Sequence, residues 1–274
     1  AGMAGARTVL VTGCDGGLGL GLVKALLELP SPPQHLFAAC LNPDSKVGRH
    51  LRPPSQFLWG RDITDPASIK EAAAAVSERL RGAGLNLLLT GAGPARRRGT
   101  LASETAETML LSYAANTVGP LQVCQVSPGP AAPLGLSPRH LRPLPVCPQA
   151  FLPLLLEAAR AGGAMSCSRA AIVNLSSRLG SIAATPAWER GQDIGYRCSK
   201  AALNMLTKCL ALEYGGRGIL CVALAPGCVM PPVDSETEPV SLEESTRGIL
   251  HVLATLSATS NGAFLDWRGQ SLPW

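Results

Sequence analysis

The stretch that decides the fold reads Arg-Thr-Val-Leu-Val-Thr-Gly-Cys-Asp-Gly-Gly-Leu-Gly-Leu-Gly, residues 7–21. It begins with a short apolar, β-branched run that ends at Gly13, which is typical of a buried parallel strand. Further glycines follow, and an apolar helical pattern continues through Leu29. A strand, a glycine-rich turn and a helix start predict a dinucleotide cradle, because backbone N–H groups and the helix N-terminus face the pyrophosphate.

A second pattern lies far downstream, where Tyr196 and Lys200 stand four residues apart within a helical pattern. This spacing places both side chains on one helix face. An ammonium group close to a phenol favours the phenolate and lowers the tyrosine pKa from its ordinary value of about 10. The pair therefore predicts a proton donor or acceptor that works near neutral pH.

Each pattern has an ordinary alternative. A tyrosine and a lysine at this spacing occur on many amphipathic helices, and a glycine cluster is often only a turn. The order Thr12-Gly13-x-x-x-Gly17-x-Gly19 also differs slightly from the plain Gly-x-Gly-x-x-Gly fingerprint. The strand, the glycine turn and the distant Tyr/Lys pair are specific only in combination.

In combination they resemble the short-chain dehydrogenase/reductase family over nearly the whole chain. Residues 177–182, 199–204 and 264–274 are most similar to the carbonyl reductase branch that includes Sniffer and C-factor-like proteins. The motifs that support the family resemblance are the glycine turn 12–19, Asn116-Thr-Val-Gly119, the strand end 174–181, the pair Tyr196 and Lys200, and Pro226-Gly227.

The resemblance implies a single doubly wound (Rossmann) α/β domain with a mostly parallel seven-stranded sheet flanked by helices. Apolar runs that alternate with helical patterns predict the same βαβ units. The predicted strands are residues 7–12, 35–40, 56–60, 85–90, 170–176, 218–224 and 262–266. The predicted helices lie near residues 17–29, 65–81, 103–125, 151–161, 194–214 and 241–256.

The resemblance also implies catalytic roles for four residues. Tyr196 is the general acid toward a carbonyl oxygen, and Ser177 donates a second hydrogen bond to the same oxygen. Lys200 holds the nicotinamide ribose and lowers the tyrosine pKa, and Asn116 orders a water that links the lysine to solvent. If the register slips by one residue, Ser176 replaces Ser177.

A further set of residues is implied to hold the cofactor. It consists of Gly13, Asp15, Gly17, Leu18, Gly19, Leu41, Asp62, Ile63, Gly91, Ala92, Gly93, Tyr196, Lys200, Pro226, Gly227 and Val229. Asp62 corresponds to the family position that touches the adenine, but an aspartate in a surface turn is an equally good interpretation. Thr64 or Asp65 is expected to cap a helix that begins near Pro66.

Three positions depart from the family pattern. The fourth strand ends in Thr90-Gly-Ala-Gly93 rather than Asn-Asn-Ala-Gly, so the asparagine that ties strands together is missing and a less rigid site is expected. Leu41 stands where related reductases place an arginine that grips the 2′-phosphate of NADP, and no acidic residue replaces it for NAD. Residues 228–232 offer no hydroxyl to the cofactor carboxamide. NADP(H) is still favoured over NAD(H), because of the branch resemblance and the net charge of +5.

The composition fits one α/β domain, since the 274 residues are 46% hydrophobic and 16% charged. A solvated loop explains the basic run 96–98 better than a nucleic-acid patch does. No apolar run reaches the roughly 18 residues of a membrane span, and no signal peptide precedes the first strand. Nine cysteines without a framework spacing or a Cys/His cluster predict a reduced cytoplasmic protein without a metal site.

Residues 126–149 interrupt the pattern, because seven of these 24 residues are proline and neither a helix nor a central strand accepts them. Helical periodicity runs to Gln125 and resumes at Ala150. We therefore predict one domain over residues 1–274 with a proline-rich insert at 126–149. A retained in-frame intron is the preferred explanation, since valine codons begin with GT and the glutamine codon CAG ends in AG. A true surface loop is the alternative.

The predicted activity is reduction of a small carbonyl compound, or oxidation of the matching alcohol, by hydride transfer with a nicotinamide cofactor. The alternative is an impaired or non-enzymatic relative with a binding or regulatory role, because of Leu41, Thr90, Met230 and the insert. A nucleotide-sugar epimerase shares the Tyr/Lys pair, but this chain lacks the length for its substrate domain. The substrate is the expected partner, with no nucleic acid or membrane, and a homodimer or homotetramer is expected unless the insert prevents it.

Overall fold

The strands form where short runs of Val, Leu, Ile and Ala can be buried on both faces of a parallel sheet. The computed structural model describes residues 6–41, 55–59, 62–91, 99–125, 151–185, 188, 191–227 and 240–274. The strands in these ranges are β1 (Thr8–Thr12), β2 (His35–Cys40), β3 (Ser55–Trp59), β4 (Leu87–Thr90), β5 (Ala171–Leu175), β6 (Leu220–Ala225) and β7 (Phe264–Asp266).

The sheet has the strand order β3-β2-β1-β4-β5-β6-β7, and every neighbouring pair is parallel. The chain builds outward from β1 to β3 and then returns to place β4 beside β1. The order therefore reverses between β1 and β4, and the crevice at their carboxyl ends is where this kind of sheet binds ligands. The predicted doubly wound fold with seven strands is confirmed, and each predicted strand agrees within two residues.

Helices cover both faces of the sheet. One face packs against α1 (Gly17–Leu27) and α7 (Leu242–Thr255) through residues such as Leu22 and Ile249. The other packs against α2 (Pro66–Leu80) and α5 (Leu152–Ala159) through residues such as Val76 and Leu155. The helices in the described ranges are α1 (Gly17–Leu27), α2 (Pro66–Leu80), α3 (Ala106–Tyr113), α4 (Gly119–Cys124), α5 (Leu152–Ala159), α6 (Ile194–Tyr214) and α7 (Leu242–Thr255).

Side-chain caps set where two helices begin. Asp65 accepts hydrogen bonds from the backbone N–H groups of Ala67 and Ser68, so α2 begins at Pro66 as predicted. Thr105 and Thr108 form a reciprocal capping box, so α3 begins at Ala106 rather than near residue 103. The predicted helix 103–125 is also not uniform, because a π-helical stretch over Ala114–Val118 joins α3 to α4.

Helices α4 and α5 meet across the proline-rich insert, which lies outside the described residues. The backbone N–H of Phe151 donates a hydrogen bond of 3.1 Å to the carbonyl oxygen of Val123. With residues 126–149 left out of the count, Phe151 is the fourth residue after Val123. That is the spacing of an α-helical hydrogen bond, so the two helices keep the register of one continuous helix.

Candidate active site

The glycine turn connects β1 to α1 and begins at Gly13, and Gly17, Leu18 and Gly19 form the first turn of α1. A Cβ atom at Gly19 would lie 2.2 Å from the Gly13 carbonyl oxygen, so only glycine lets α1 begin this close to the turn. No side chain caps the N-terminus of α1, because Gly16 occupies that position. The first N–H groups of α1 are therefore available to an anion, which fits the pyrophosphate of a dinucleotide.

The ends of β1 and β4 approach each other closely at the switch point. The backbone N–H of Gly91 donates a hydrogen bond of 2.8 Å to the Thr12 hydroxyl. A Cβ atom at Gly91 would lie 1.8 Å from the Thr12 carbonyl oxygen, so no larger residue fits there. The described part of the crevice is thus walled by backbone on both sides. Ala92 and Gly93, predicted to continue this wall, lie outside the described residues.

Asp15 and Leu41 contact each other at the end of β2. The Leu41 backbone N–H donates a hydrogen bond of 2.9 Å to the Asp15 carboxylate. The Leu41 side chain is 58% exposed and offers no donor for a 2′-phosphate. Among the described residues, the charged group that contacts this strand end is therefore the Asp15 carboxylate.

Asp62 lies in a local turn. Its Oδ1 accepts hydrogen bonds from the backbone N–H of Thr64 at 2.8 Å and from the Thr64 hydroxyl at 2.7 Å. This is the surface-turn arrangement that the sequence left open beside the adenine contact. Ile63 packs on α4, because a Cβ atom at Gly119 would lie 2.9 Å from its side chain.

The link between strands that was expected to be missing at Thr90 is present, because Thr90 itself makes it. Its hydroxyl donates a hydrogen bond of 2.7 Å to Oδ1 of Asn174 on β5. The amide of Asn174 then donates to the Thr207 hydroxyl on α6 at 2.8 Å. All three side chains are buried, so β4, β5 and α6 are joined by a satisfied polar chain.

Asn116 lies in the π-helical stretch and contacts the helix that holds the Tyr/Lys pair. Its amide donates a hydrogen bond of 3.0 Å to the Ser199 hydroxyl, which donates in turn to the Tyr196 carbonyl oxygen at 2.8 Å. The neighbouring Thr117 hydroxyl donates to the Ser199 carbonyl oxygen at 2.9 Å. The Asn116 Oδ1 is buried and accepts no hydrogen bond within the described residues. Such an acceptor is suited to a bound water.

Lys200 is fully buried next to Tyr196. Its Nζ donates a hydrogen bond of 2.9 Å to the carbonyl oxygen of Leu175, the last residue of β5. The same Nζ lies 5.8 Å from the centre of the Tyr196 ring. Burial disfavours the ammonium form and lowers the pKa of Lys200 to about 7. Because an ammonium has three donors, two remain for a ligand beyond the Leu175 contact.

The two serines after β5 have different surroundings. Ser176 is buried, and its hydroxyl donates to Oδ1 of Asn204. The half-buried Ser177 hydroxyl accepts a hydrogen bond of 3.2 Å from the Leu179 backbone N–H. That turn rests on α6, since a Cβ atom at Gly180 would lie 2.8 Å from the Lys200 backbone. Ser177 therefore has the hydroxyl that remains open to a ligand.

Pro226 and Gly227 follow β6 and are fixed by α7 and by the segment after β7. The Ser245 hydroxyl donates a hydrogen bond of 2.6 Å to the Pro226 carbonyl oxygen. A Cβ atom at Gly227 would lie 2.9 Å from the Trp267 ring. Val229, predicted to contact the cofactor, lies outside the described residues.

Glu104 is a site-building residue that the sequence did not reveal. Its carboxylate accepts a hydrogen bond of 2.9 Å from the backbone N–H of Gly195, in the first turn of α6. It also accepts from the Thr108 hydroxyl, and hydrogen bonds from Thr108 and Gly195 lower its pKa. Glu104 thus anchors the start of the helix that holds Tyr196. Its separation of about ninety residues from Gly195 left no local signal in the sequence.

Comparisons with known proteins support the family resemblance. A family model described as short chain dehydrogenase matches residues 7–128 and 147–240, so the break in the match falls within the proline-rich insert.

The helices in the described ranges include none that is long and apolar enough to cross a membrane.

The similar proteins include carbonyl reductases. An NADPH-bound carbonyl reductase from chicken fatty liver has 42% sequence identity and a TM-score of 0.85, with 100% of this chain and 96% of that chain covered. The carbonyl reductase Sniffer of D. melanogaster has 32% identity and a TM-score of 0.81, with 98% and 99% covered. The C-signal of Myxococcus xanthus is 31% identical over 122 residues, which are 44% of this chain and 72% of that protein. The predicted similarity to the Sniffer and C-factor branch is confirmed.

Proposed function

The chain belongs to the short-chain dehydrogenase family, and on this premise we propose that it is an NADP(H)-dependent carbonyl reductase. The proposed reaction is reduction of a small carbonyl compound, or oxidation of the matching alcohol. The observation that supports it most is the buried Lys200 amine beside the Tyr196 ring, at the same sheet edge as the glycine turn. A buried amine is costly unless a bound group uses it, so this placement favours a catalytic role.

A nicotinamide cofactor held at the glycine turn would supply the hydride for the carbonyl carbon. Tyr196 donates its phenolic proton to the carbonyl oxygen, and Ser177 donates a hydrogen bond to the same oxygen. The Lys200 ammonium stabilises the phenolate that remains on Tyr196. Asn116 holds a water through its Oδ1, which accepts no hydrogen bond within the described residues. A proton from solvent passes through this water and Lys200 to the phenolate and restores the Tyr196 hydroxyl.

The preference for NADP(H) over NAD(H) is supported by the net charge of +5 and by the NADPH bound to the chicken protein. Asp15 is the one described feature that favours a free ribose 2′-hydroxyl, since its carboxylate lies at the end of β2. The kcat/KM values for NADPH and NADH with one carbonyl substrate decide between them. We expect NADPH to be preferred; a preference for NADH would overturn this part of the proposal.

The alternative is a relative that binds no cofactor or does not turn it over. Leu41 favours this alternative, because its exposed side chain has no hydrogen-bond donor for the 2′-phosphate of NADP. Thermal unfolding with and without NADPH tests binding, because a ligand of the folded state raises the melting temperature by mass action. A panel of small aldehydes, ketones and quinones then tests turnover. We expect both a rise in melting temperature and turnover. A rise in melting temperature without turnover supports a binding role, and the absence of both supports loss of function.

Self-association through α6 is also proposed. Met205 and Leu212 lie two helical turns apart on α6 and are 64% and 76% exposed, and Leu110 on the adjacent α3 is 68% exposed. Exposed apolar patches of this kind favour a protein interface, here a homodimer or homotetramer. Light scattering of the full chain and of a Met205→Lys/Leu212→Lys variant tests it. A monomeric wild-type chain would contradict the proposal.

A cytoplasmic location is proposed from the thiols. All seven described cysteines are free, and Cys124, Cys167 and Cys221 are buried in the core with raised pKa values. Free core thiols suit a reducing compartment. Cell fractionation checks this, and recovery of the protein only with membranes or medium would contradict it.

A further inference from the structure

A second cavity lies at the opposite edge of the sheet from the glycine turn. Its volume is about 750 Å³, within the range of small-molecule sites. Its polar lining includes Arg7, Gln34, His35, Arg79, Arg81 and Asn86. Arg7 precedes β1, His35 begins β2 and Asn86 precedes β4, so the cavity opens at the amino ends of the parallel strands. The reductase site uses the carboxyl ends, so the two sites are separated by the length of the sheet.

The lining carries an unbalanced positive charge. Arg79 and Arg81 form neither ion pairs nor side-chain hydrogen bonds with any residue in the described ranges. Glu157 is the one acidic residue among the described lining residues, and it is already paired with Arg160 at 2.7 Å. The C-terminus of α2 contributes only about −0.5 of a charge. Three arginines therefore exceed the negative charge that the cavity itself supplies.

The third arginine is held in place before any ligand arrives. The Arg7 backbone N–H donates a hydrogen bond of 3.0 Å to Oδ1 of Asn86. The Arg7 guanidinium donates a hydrogen bond of 3.1 Å to Oε1 of Gln34. This bond uses one of the five N–H donors of the guanidinium. Asn86 is fixed in turn by donating to the Arg169 carbonyl oxygen at 2.9 Å. The hydrogen bond to Gln34 thus restrains the exposed Arg7 guanidinium at the cavity and leaves its other donors for a ligand.

We infer that this cavity binds a small, soluble anion with two or more phosphate groups. A guanidinium group binds a phosphate through two parallel hydrogen bonds. Two or three guanidinium groups at one cavity can therefore bind more than one phosphate. A phosphorylated lipid headgroup has the same chemistry. The soluble form is favoured because none of the lining residues is a large exposed apolar side chain that would enter a membrane surface. Binding here does not depend on hydride transfer at the other edge.

Titration calorimetry with inorganic tripolyphosphate tests the inference on the full chain. The variant Arg79→Gln/Arg81→Gln removes two charges from the cavity and keeps a polar, hydrogen-bonding side chain at each position. The matched control Arg217→Gln/Arg247→Gln removes two charges from exposed arginines that pair with Glu213 and Glu243 elsewhere. Circular dichroism confirms that each variant is folded. We expect at least about tenfold weaker binding in the first variant and little change in the control.

Three results would overturn the inference. The first is that the wild-type chain does not bind tripolyphosphate. The second is that the Arg79→Gln/Arg81→Gln variant binds it as tightly as the wild type does, because the anion then binds elsewhere. Equal losses in both variants would show that only the net charge matters. A separate arm uses vesicles of phosphatidylcholine with and without a phosphorylated phosphatidylinositol. Co-sedimentation that requires Arg79 and Arg81 would identify a lipid surface instead, and its absence supports the soluble ligand.

Discussion

At the residue scale, Lys200 links the stability of the protein to its proposed chemistry. Its amine is buried between the end of β5 and the Tyr196 ring, and burial lowers its pKa to about 7. The same burial that positions the amine therefore makes its charge depend on pH near neutrality. An exposed lysine at this position would keep its charge but would not be held against the phenol.

Activity should follow this titration. The proposed role needs the ammonium, so kcat/KM for carbonyl reduction, which reports groups of the free enzyme, should fall as pH rises through about 7. The measurement is a pH profile of kcat/KM at fixed ionic strength. A profile that is flat or rising across that range would show that the ammonium is not required.

Stability should change in the opposite direction. An unfolded lysine keeps its proton up to about pH 10.4, so between the two pKa values the unfolded chain binds more protons and the free energy of unfolding rises with pH. We expect Lys200→Met to be stabilised most, relative to the wild type, below about pH 7 and progressively less above it. Urea unfolding of both proteins at several pH values measures this, and a difference that is constant with pH would contradict it.

At the element scale, β4, β5 and α6 are held together by the chain from Thr90 through Asn174 to Thr207. Thr90→Val keeps the shape but leaves the buried Oδ1 of Asn174 without its donor, so it should cost about 1–3 kcal/mol in the free energy of unfolding. Thr90→Ser keeps the hydroxyl and serves as the control. Urea unfolding of the three proteins is the test. Equal stability of Thr90→Val and the wild type would show that the hydrogen bond between Thr90 and Asn174 does not stabilise the fold.

The start of α6 depends on Glu104. Hydrogen bonds from Thr108 and Gly195 favour its carboxylate, so its pKa lies below the ordinary value and its contribution is present at neutral pH and lost as pH falls through that lowered pKa. Glu104→Gln should cost about 0.3–1 kcal/mol near neutral pH, the usual contribution of a carboxylate at a helix N-terminus. The exposed Glu78→Gln is the control. A cost that persists unchanged in acid would contradict this account.

Deletion of the insert tests whether α4 and α5 are two parts of one helix. The Phe151 to Val123 hydrogen bond has helical spacing only when all 24 residues of 126–149 are left out. A variant lacking 126–149 should therefore melt at a higher temperature than the full chain. A control lacking only 127–149 retains one extra residue, which rotates the following helix by about 100° and should melt lower than the full deletion. Equal melting temperatures of the full chain and the 126–149 deletion would contradict the prediction.

The origin of the insert remains a prediction at the level of the gene. A retained intron requires genomic DNA with GT at the Val126 codon and AG at the end of the Gln149 codon. Other boundaries would leave a true surface insertion as the explanation.

At the scale of the whole molecule, local patterns predicted the sheet well because parallel strands are buried on both faces and appear as continuous apolar runs. The cap at Asp65 starts α2 where it was predicted, and the cap at Thr105 starts α3 only a few residues later than predicted. What the sequence did not reveal were contacts between distant segments, such as Glu104 with Gly195 and Thr90 with Asn174. Each of these residues is locally ordinary, and its role exists only once the topology joins its partner.

The central claim is tested most directly by Tyr196→Phe, which removes one hydroxyl and keeps the ring beside Lys200. Tyr214→Phe, at the far end of α6, is the matched control. Carbonyl turnover should fall by about a hundredfold or more in the first variant and stay near wild type in the second, since a positioned general acid contributes that much. The rise in melting temperature with NADPH should be retained in both. Wild-type turnover by Tyr196→Phe would contradict the account.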